Sequence, residues 1–538
     1  MGVKKLLVAN RGEIAVRIIR AARELGIATV AVFSDDDARS PHLRLADESC
    51  SLQGRGANAY LNIDQLIEIA GATASVAIHP GYGFLAESAD LAKRCFEADI
   101  TFVGPSVETL ELLGDKTRAR KLAEEHGVSV LPGSVASVSL DEAEQFLHGL
   151  GEDGTMVIKA VAGGGGRGMR VVSWLDDVAK AYARCQSEAS AAFGDDAVYV
   201  EQLFSNARHI EVQVFGDGEG SVVHMGEREC TVQRSHQKLL EIAPSPNISA
   251  ILRGNLCEAA VSMARSLAYR SLGTFEFLVG AVGSEDRFVF IEANPRLQVE
   301  HTVTEQVMGL DLVQAQLRLA GGEKLTDLNF PDNPQPSGYA IQARVNTEKM
   351  TPDGKVHSTA GQLAVFNLPS GPGIRVDTYG QNGYVTNPAF DSLLAKVIAH
   401  STSEDFAMVV SRLLQALDEV EIVGLDTNLS LLMKLLRHED FTSQNISTDW
   451  LDRNIELLLT DDETDPSVSV AGSQAGAAID KIDPLASLDY FRDGARNERP
   501  ANAPLIGPPN TEAVPSPLLA TVTEIHVNEG DLVREGQT

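Results

Sequence analysis

The chain has 538 residues, 43% of them hydrophobic and 22% charged, a length that accommodates about three domains with large buried cores. Its 45 Lys and Arg against 75 Asp and Glu leave a net charge of −30. That excludes a general binder of nucleic acid or anionic membranes, and any anionic substrate must be held by local cationic clusters. Five scattered cysteines form no Cys-x-x-Cys pair, which suits a reducing compartment and provides no zinc site. The N-terminal apolar run is too short for a signal peptide and no 18-residue apolar run follows, so a cytoplasmic protein without a membrane span is expected.

"KKLLVAN" reads as a buried strand, "RGEIAVRIIRAAREL" as a helix with apolar residues at helical spacing, Gly26 as its stop, and "ATVAVFS" as the next strand. This is a β-α-β unit of a parallel sheet. "ANRGE" stands where a Gly-x-Gly-x-x-Gly turn would be, so a dinucleotide site is not supported. "SVAIHP" leads into the Gly-rich loop "GYGFLAES", a shape that lines ligand sites in such sheets, with His79 read as a turn residue rather than a catalytic one.

From Asp115–Lys116 the pattern changes. "MVIKAVAGGGGRGMRVV" is a strand, a glycine run and a second strand. Gly163, Gly164, Gly165 and Gly166 let backbone N–H groups approach phosphate oxygens, and Lys159 adds a point charge. The motif lacks the Gly-Lys-Ser/Thr ending of a Walker loop. "AVYVEQLFSNARHIEVQVFGD" gives two strands with a Glu201–Gln202–Leu203 hinge able to meet an adenine edge. "ERECTVQRSHQKLLEIAPSP" (227–246) gathers Arg228, Gln233, Arg234, His236, Gln237 and Lys238 in a local basic patch, and "GYAIQARVNTE" sets Arg344 on a strand.

The most concentrated stretch is "FVFIEANPRLQVEH", residues 288–301. It runs from an apolar strand into Glu292, Asn294, Arg296, Gln298, Val299, Glu300 and His301. A buried strand ending in a carboxylate requires a cation nearby. Glu276 lies in a second strand, "GTFEFLVG". Two such carboxylates with Asn294 close by suit a magnesium ion on nucleotide phosphates; salt bridges with Arg296 and other cations are the plainer alternative.

In this order the motifs resemble the biotin carboxylase component of biotin-dependent carboxylases, an ATP-grasp family. The resemblance runs from "LLVANRGEIAVRIIRAA" to about residue 450. It implies an α/β fold: a Rossmann-like N-terminal domain (1–114), an ATP-grasp domain (115–330) with a mobile lid over about 131–203, and a mixed α/β C-terminal domain (331–450). A linker (451–514) and the opening of an all-β biotinyl hammerhead domain (515–538) follow, so the biotinylated lysine is expected beyond Thr538. Lys434, within "LLMKLLRH", is read as an ordinary helix lysine.

By the same resemblance, Glu300 deprotonates bicarbonate, paired with Arg296. Lys238, Arg296, Gln298 and Val299 hold the anion, and Arg344 stabilises the biotin enolate. Glu276, Glu292 and Asn294 bind Mg²⁺ or Mn²⁺. Lys116, Lys159, the four glycines, His209, Gln233 and His236 cradle ATP, with Glu201 and Leu203 at the adenosine. The implied partners are a biotinyl carrier domain, a carboxyltransferase serving acyl-CoA, and further copies of the chain in a homo-oligomer. Three departures stand out: Gln202 where the family has Lys, Phe390 where it has Tyr, and Pro515–Ser516–Pro517–Leu518 at the biotinyl opening. Competing readings are another ATP-grasp carboxylate-amine ligase, a pyruvate- or urea-type carboxylase, and a nucleotide-binding scaffold without catalysis.

Overall fold

Five parallel strands begin the fold. Lys5–Val8, Ala28–Phe33, Glu48–Ser51, Ala77–His79 and Thr101–Phe102 lie in the spatial order third, second, first, fourth, fifth. The order reverses between the Lys5 and Ala77 strands, where a doubly wound sheet opens a crevice. Asn10 bridges that point, its Nδ2 donating to the carbonyls of Pro80 and Tyr82 at 2.6 and 2.8 Å. His79 has the expected turn role, accepting the Gly81 N–H on Nδ1 at 3.0 Å. Helix Gly12–Glu24 buries Ile14, Ile18, Ile19 and Ala22, and Gly26 follows its end at φ +70°, a conformation that disfavours any side chain. This computed structural model describes residues 2–460 apart from 135, 152–153, 162–167, 281–286, 329, 332–333 and 352–355.

A separate antiparallel sheet has Met156–Ala160 between Met169–Val172 and Val198–Gln202. Helices Leu140–Gly149 and Leu175–Phe193 back it, packing Ala143, Leu147, Val178 and Cys185 against Met156 and Ile158. The first helix starts from a capping box between Ser139 and Glu142. The glycines Gly163–Gly166 lie outside the described residues. Gly168 is described at φ +66°, and a Cβ there would stand 3.0 Å from that of Ala160.

The largest sheet has eight antiparallel strands. In spatial order they are Phe288–Asn294, Arg270–Val279, Arg208–Asp217, Val222–Arg234, Gln237–Ala243, Tyr339–Asn346, Leu393–Ser401 and Ile374–Thr378. The boundary expected near 330 therefore separates stretches of sequence but not sheets: Leu240 pairs with Ala343, and Ile242 with Ile341. Alternation explains the continuity, since Leu240, Ile242, Ile341, Ala343 and Val345 all face one core with Val397, Leu413 and Leu432.

The same core corrects the expected start of the linker. Residues Trp450–Thr460 are helical, and Trp450, Leu451 and Leu458 are buried. Leu451, Ile455 and Leu458 recur at helical spacing, a short signal that the acidic composition downstream obscures. Lys434 lies on helix Leu429–Arg437 as expected, and donates to the Leu458 carbonyl at 2.8 Å. The rest of the expected linker and the biotinyl-like residues 515–538 lie outside the described residues. No helix among the described residues is long and apolar enough to cross a membrane, and all five cysteines are free thiols.

Candidate active site

Three neighbouring strands set three acids side by side. Glu276 stands opposite Glu292 in one register and opposite Glu211 in the other, and Glu211 stands opposite Arg228. Like charges across a strand pair destabilise a sheet, so this row needs cations. Lys238, just past the turn that joins the Val222 and Gln237 strands, supplies the central one. Its ammonium lies 2.6 Å from Glu211, 3.1 Å from Glu276 and 2.6 Å from Glu300. Arg228, fully buried, donates to Glu211 at 2.5 Å and to Gln213 and Thr304 at 2.8 and 3.0 Å. His209 Nε2 lies 2.8 Å from Glu276, and Lys116 Nζ lies 3.1 Å from Glu292.

Glu300 stands at the N-terminus of helix His301–Met308, fully buried. Besides Lys238 on Oε1, it accepts from Arg344 on Oε2 at 3.0 Å, while the Arg344 Nε donates to Glu241 at 2.5 Å. Burial would raise the Glu300 carboxyl, but Lys238, Arg344 and Arg228 overrule it and hold it well below the usual range. Glu276 is likewise depressed against its burial, by Lys238 and then His209. Glu211 and Glu241 go the other way, because burial outweighs the cations beside them. Burial would lower Lys238, yet the Glu211, Glu276 and Glu300 carboxylates push it well above its ordinary value. The Cys230 thiol, 3.9 Å from Glu300, is pushed up by burial and the adjoining carboxylates, so it stays protonated.

The expected pairing of Glu300 with Arg296 is not what forms. Arg296 sits on the turn after the Phe288 strand and reaches the opposite way, donating Nε to Glu87 at 2.5 Å. Its Nη atoms donate to Gln298 Oε1 and Asn294 Oδ1 at 3.0 and 3.1 Å. Asn294 Nδ2 in turn donates to Glu276 at 2.8 Å, so Arg296 connects to the carboxylate row through Asn294.

The residues expected around a nucleotide fall into linked pairs. Lys159 lies 2.5 Å from Glu201, which Arg120 also binds, and Lys116 joins them electrostatically. Gln233 Nε2 lies 2.8 Å from His209 Nδ1. His236 occupies a tight turn with Ser235, both at positive φ, whose Ser235 N–H donates to Asp452 at 3.1 Å. The Leu203 N–H is already engaged, donating to the Thr155 carbonyl at 2.8 Å. Sequence reasoning placed Arg228 in the basic patch without giving it a role, and missed Glu211 and Glu241. A signal was present in "RHIEVQV": Ile210, Val212 and Val214 share the apolar core, which turns His209, Glu211 and Gln213 to the other face.

A five-stranded α/β unit, a small separate three-stranded sheet and a largely buried carboxylate row under lysines point to the nucleotide-dependent ligase class. Comparison with known proteins narrows it. Residues 2–110 and 342–453 match the family models for the biotin carboxylase N-terminal and C-terminal domains, and residues 115–328 match the ATP-binding domain of the carbamoyl-phosphate synthase L chain. Biotin carboxylase 1 of Bacillus subtilis (strain 168) is 41% identical over 456 residues, covering 84% of this chain and 98% of the relative. The pyruvate carboxylase of the same strain is 45% identical over 465 residues, 85% of this chain but 40% of the relative. The chain thus spans about two-fifths of the pyruvate carboxylases it matches. The biotin carboxylase domain of Hydrogenobacter thermophilus 2-oxoglutarate carboxylase, solved with MgADP, ADP and bicarbonate, superposes with a TM-score of 0.81 at 37% identity, covering 85% of this chain and 99% of that one. The chain belongs to the biotin carboxylase family, ATP-grasp ligases that carboxylate biotin at the expense of ATP.

Proposed function

We propose that this chain activates bicarbonate with ATP and carboxylates biotin borne on a carrier domain. The observation that carries the reading is Glu300, buried between the Lys238 ammonium at 2.6 Å and the Arg344 guanidinium at 3.0 Å. A depressed carboxylate is a weak base and bicarbonate a weak acid, so substrate binding has to change the balance. In this reading Lys238 turns to bicarbonate, together with Arg296, Gln298 and the Val299 backbone, while Arg344 turns to the biotin ureido oxygen. Glu300 loses the two cations that hold its proton affinity down, and Lys238 stabilises the anion that deprotonation creates.

The bicarbonate oxygen then attacks the γ-phosphate, whose bond to the β-phosphate oxygen breaks to release ADP, and the carboxyphosphate formed breaks down to CO2 and phosphate. Phosphate removes the biotin N1′ proton. Arg344, whose charge persists at any working pH, meets the enolate oxygen until N1′ takes up the CO2. Lys116, Lys159, His209, Gln233 and His236 are read as holding the nucleotide phosphates and base, with the glycine run Gly163–Gly166 as a cover and Glu201–Leu203 at the adenosine. A lid over about 131–203 would close on it. Glu276, Glu292 and Asn294 offer oxygen donors on paired strands, which fits a hard cation and would exchange their present lysine, histidine and arginine contacts for it. Magnesium, or manganese, bound there supplies charge neutralisation on the phosphates. MgADP and bicarbonate in the Hydrogenobacter domain support the same ligands here.

The carrier domain and the carboxyltransferase are the partners this half-reaction needs, in one chain or as separate subunits. The acceptor expected from the sequence is an acyl-CoA; the 45% identity to a pyruvate carboxylase favours pyruvate as the second reading. Offering both acceptors to the chain together with its carboxyltransferase decides between them. The half-reaction itself is tested by ADP release from MgATP with bicarbonate and excess free biotin, where bicarbonate-dependent release is expected. ADP release that ignores bicarbonate would refute the reading.

A further inference from the structure

The turn carrying Gln298, Val299 and Glu300 is held from behind by two side chains that the chemistry above does not use. Lys396, on the Leu393–Ser401 strand, is 0% exposed. Its ammonium donates to the Val299 carbonyl at 3.1 Å and lies 3.0 Å from Glu13 and 3.8 Å from Asp377. Glu13 accepts in turn from the hydroxyl of Tyr82, on the Gly-rich loop. His301 is equally buried, with Nδ1 2.8 Å from the Gln298 carbonyl. A carbonyl only accepts, so Nδ1 carries the proton of the neutral ring. Burial, then Lys396 and Arg17, keep that ring neutral by pushing its pKa well below the usual value.

A trans peptide sends its C=O and its N–H to opposite sides. With the Gln298 carbonyl drawn back to His301, the Val299 N–H faces away from the buried ionic network. With the Val299 carbonyl drawn back to Lys396, the Glu300 N–H does the same. Neither N–H has an acceptor among the described residues. A buried ammonium is kept at a desolvation cost of several kcal/mol, and the Leu393–Ser401 strand is otherwise strongly apolar through Leu394, Ala395, Val397, Ile398 and Ala399.

We infer that Lys396 and His301 are positioning residues for the bicarbonate site, fixing the peptide planes of Val299 and Glu300 so that backbone N–H groups meet the anion. The inference rests on bicarbonate being the substrate of this site. Lys396→Met alone would strand Glu13, so the informative variant of the whole chain is Glu13→Gln/Lys396→Met, which removes the donor to Val299 and leaves the buried charge balanced. Its KM for bicarbonate should rise about tenfold or more, the scale of one hydrogen bond to an ion. KM for MgATP should stay within about twofold, and the unfolding midpoint near that of the parent. A folded double variant with an unchanged bicarbonate KM overturns the role of Lys396.

The His301 pair is an independent arm, and it decides if the double variant does not fold. His301→Asn keeps an N–H donor near the Nδ1 position and should retain a bicarbonate KM near the parent's, whereas His301→Leu should raise it. Equal KM values in the two overturn the positioning role. Bicarbonate-independent ADP release by the parent chain is a different failure, since it removes the proposed function and this inference with it.

Discussion

Replacing Lys238 by Met removes one ammonium from three carboxylates at once: Glu211 at 2.6 Å, Glu276 at 3.1 Å and Glu300 at 2.6 Å. Arg228, His209 and Arg344 each keep one of these acids, but among the described residues no cation then lies within ion-pair distance of two of them. Breaking a buried ion pair by deleting one partner typically costs about 3–5 kcal/mol, because the remaining charge is left without compensation. Denaturant unfolding of Lys238→Met should show a loss on that scale, and bicarbonate-dependent ADP release should vanish. The companion Lys238→Met/Glu211→Gln removes one of the stranded charges. It should recover much of the stability and none of the turnover, since no ammonium is left to hold the anion. Turnover restored in the double variant would refute the anion-holding role and leave Lys238 a structural counter-ion. Undiminished stability in the single variant would refute the electrostatic account of the carboxylate row.

Further outcomes follow from other parts of the molecule. Leu451→Ala, at a 1% exposed position, should cost about 2–5 kcal/mol in unfolding free energy, whereas a residue in a linker would cost nothing measurable. Stability should fall as the medium is acidified. His42 is held down to about 4 by burial, so its neutral form contributes stability that is complete above its ordinary value of 6.5 and is lost as pH falls toward about 4. Asp377, which burial would raise but Arg375 and Lys396 hold down to about 2, adds a second loss as pH falls from its ordinary 3.8 toward about 2. Melting temperature against pH checks both, and a flat profile from pH 7 to 4 would contradict the first. Hydrogen exchange across 156–172 should slow when a nonhydrolysable ATP analogue saturates the chain; unchanged exchange would rule out lid closure there.

Much of this arrangement is legible in the amino acids because local periodicity and register carry it. The spacing in 12–24 dictates a helix buried on its apolar face, and the strand character of "GTFEFLVG" and "FVFIEAN" leads directly to Glu276 opposite Glu292. Contacts between distant segments are another matter. Arg296 meets Glu87 across 209 positions, and nothing in either stretch shows that the guanidinium will reach that loop rather than Glu300. Glu241 is a single acid between Leu240 and Ile242, indistinguishable from a solvent-facing strand position until the Tyr339 strand pairs beside it and brings Arg344 onto it. The continuity of the eight-stranded sheet past residue 330 is hidden for the same reason, since pairing between strands about a hundred residues apart leaves no local trace.

The central claim, that Glu300 serves the bicarbonate step and Arg344 the biotin step, is tested most directly by measuring both products in the same reaction. With labelled bicarbonate, MgATP and biotin, ADP and carboxybiotin are quantified for the parent chain, Glu300→Gln and Arg344→Ala. Glu300→Gln should lose both products. Arg344→Ala should retain bicarbonate-dependent ADP release and near-normal ATP binding, while carboxybiotin falls by roughly 10²-fold or more, the scale of losing one preorganised charge at a developing oxyanion. Parallel loss of ADP and carboxybiotin in Arg344→Ala, together with an equal loss of ATP affinity in both variants, would contradict the assignment.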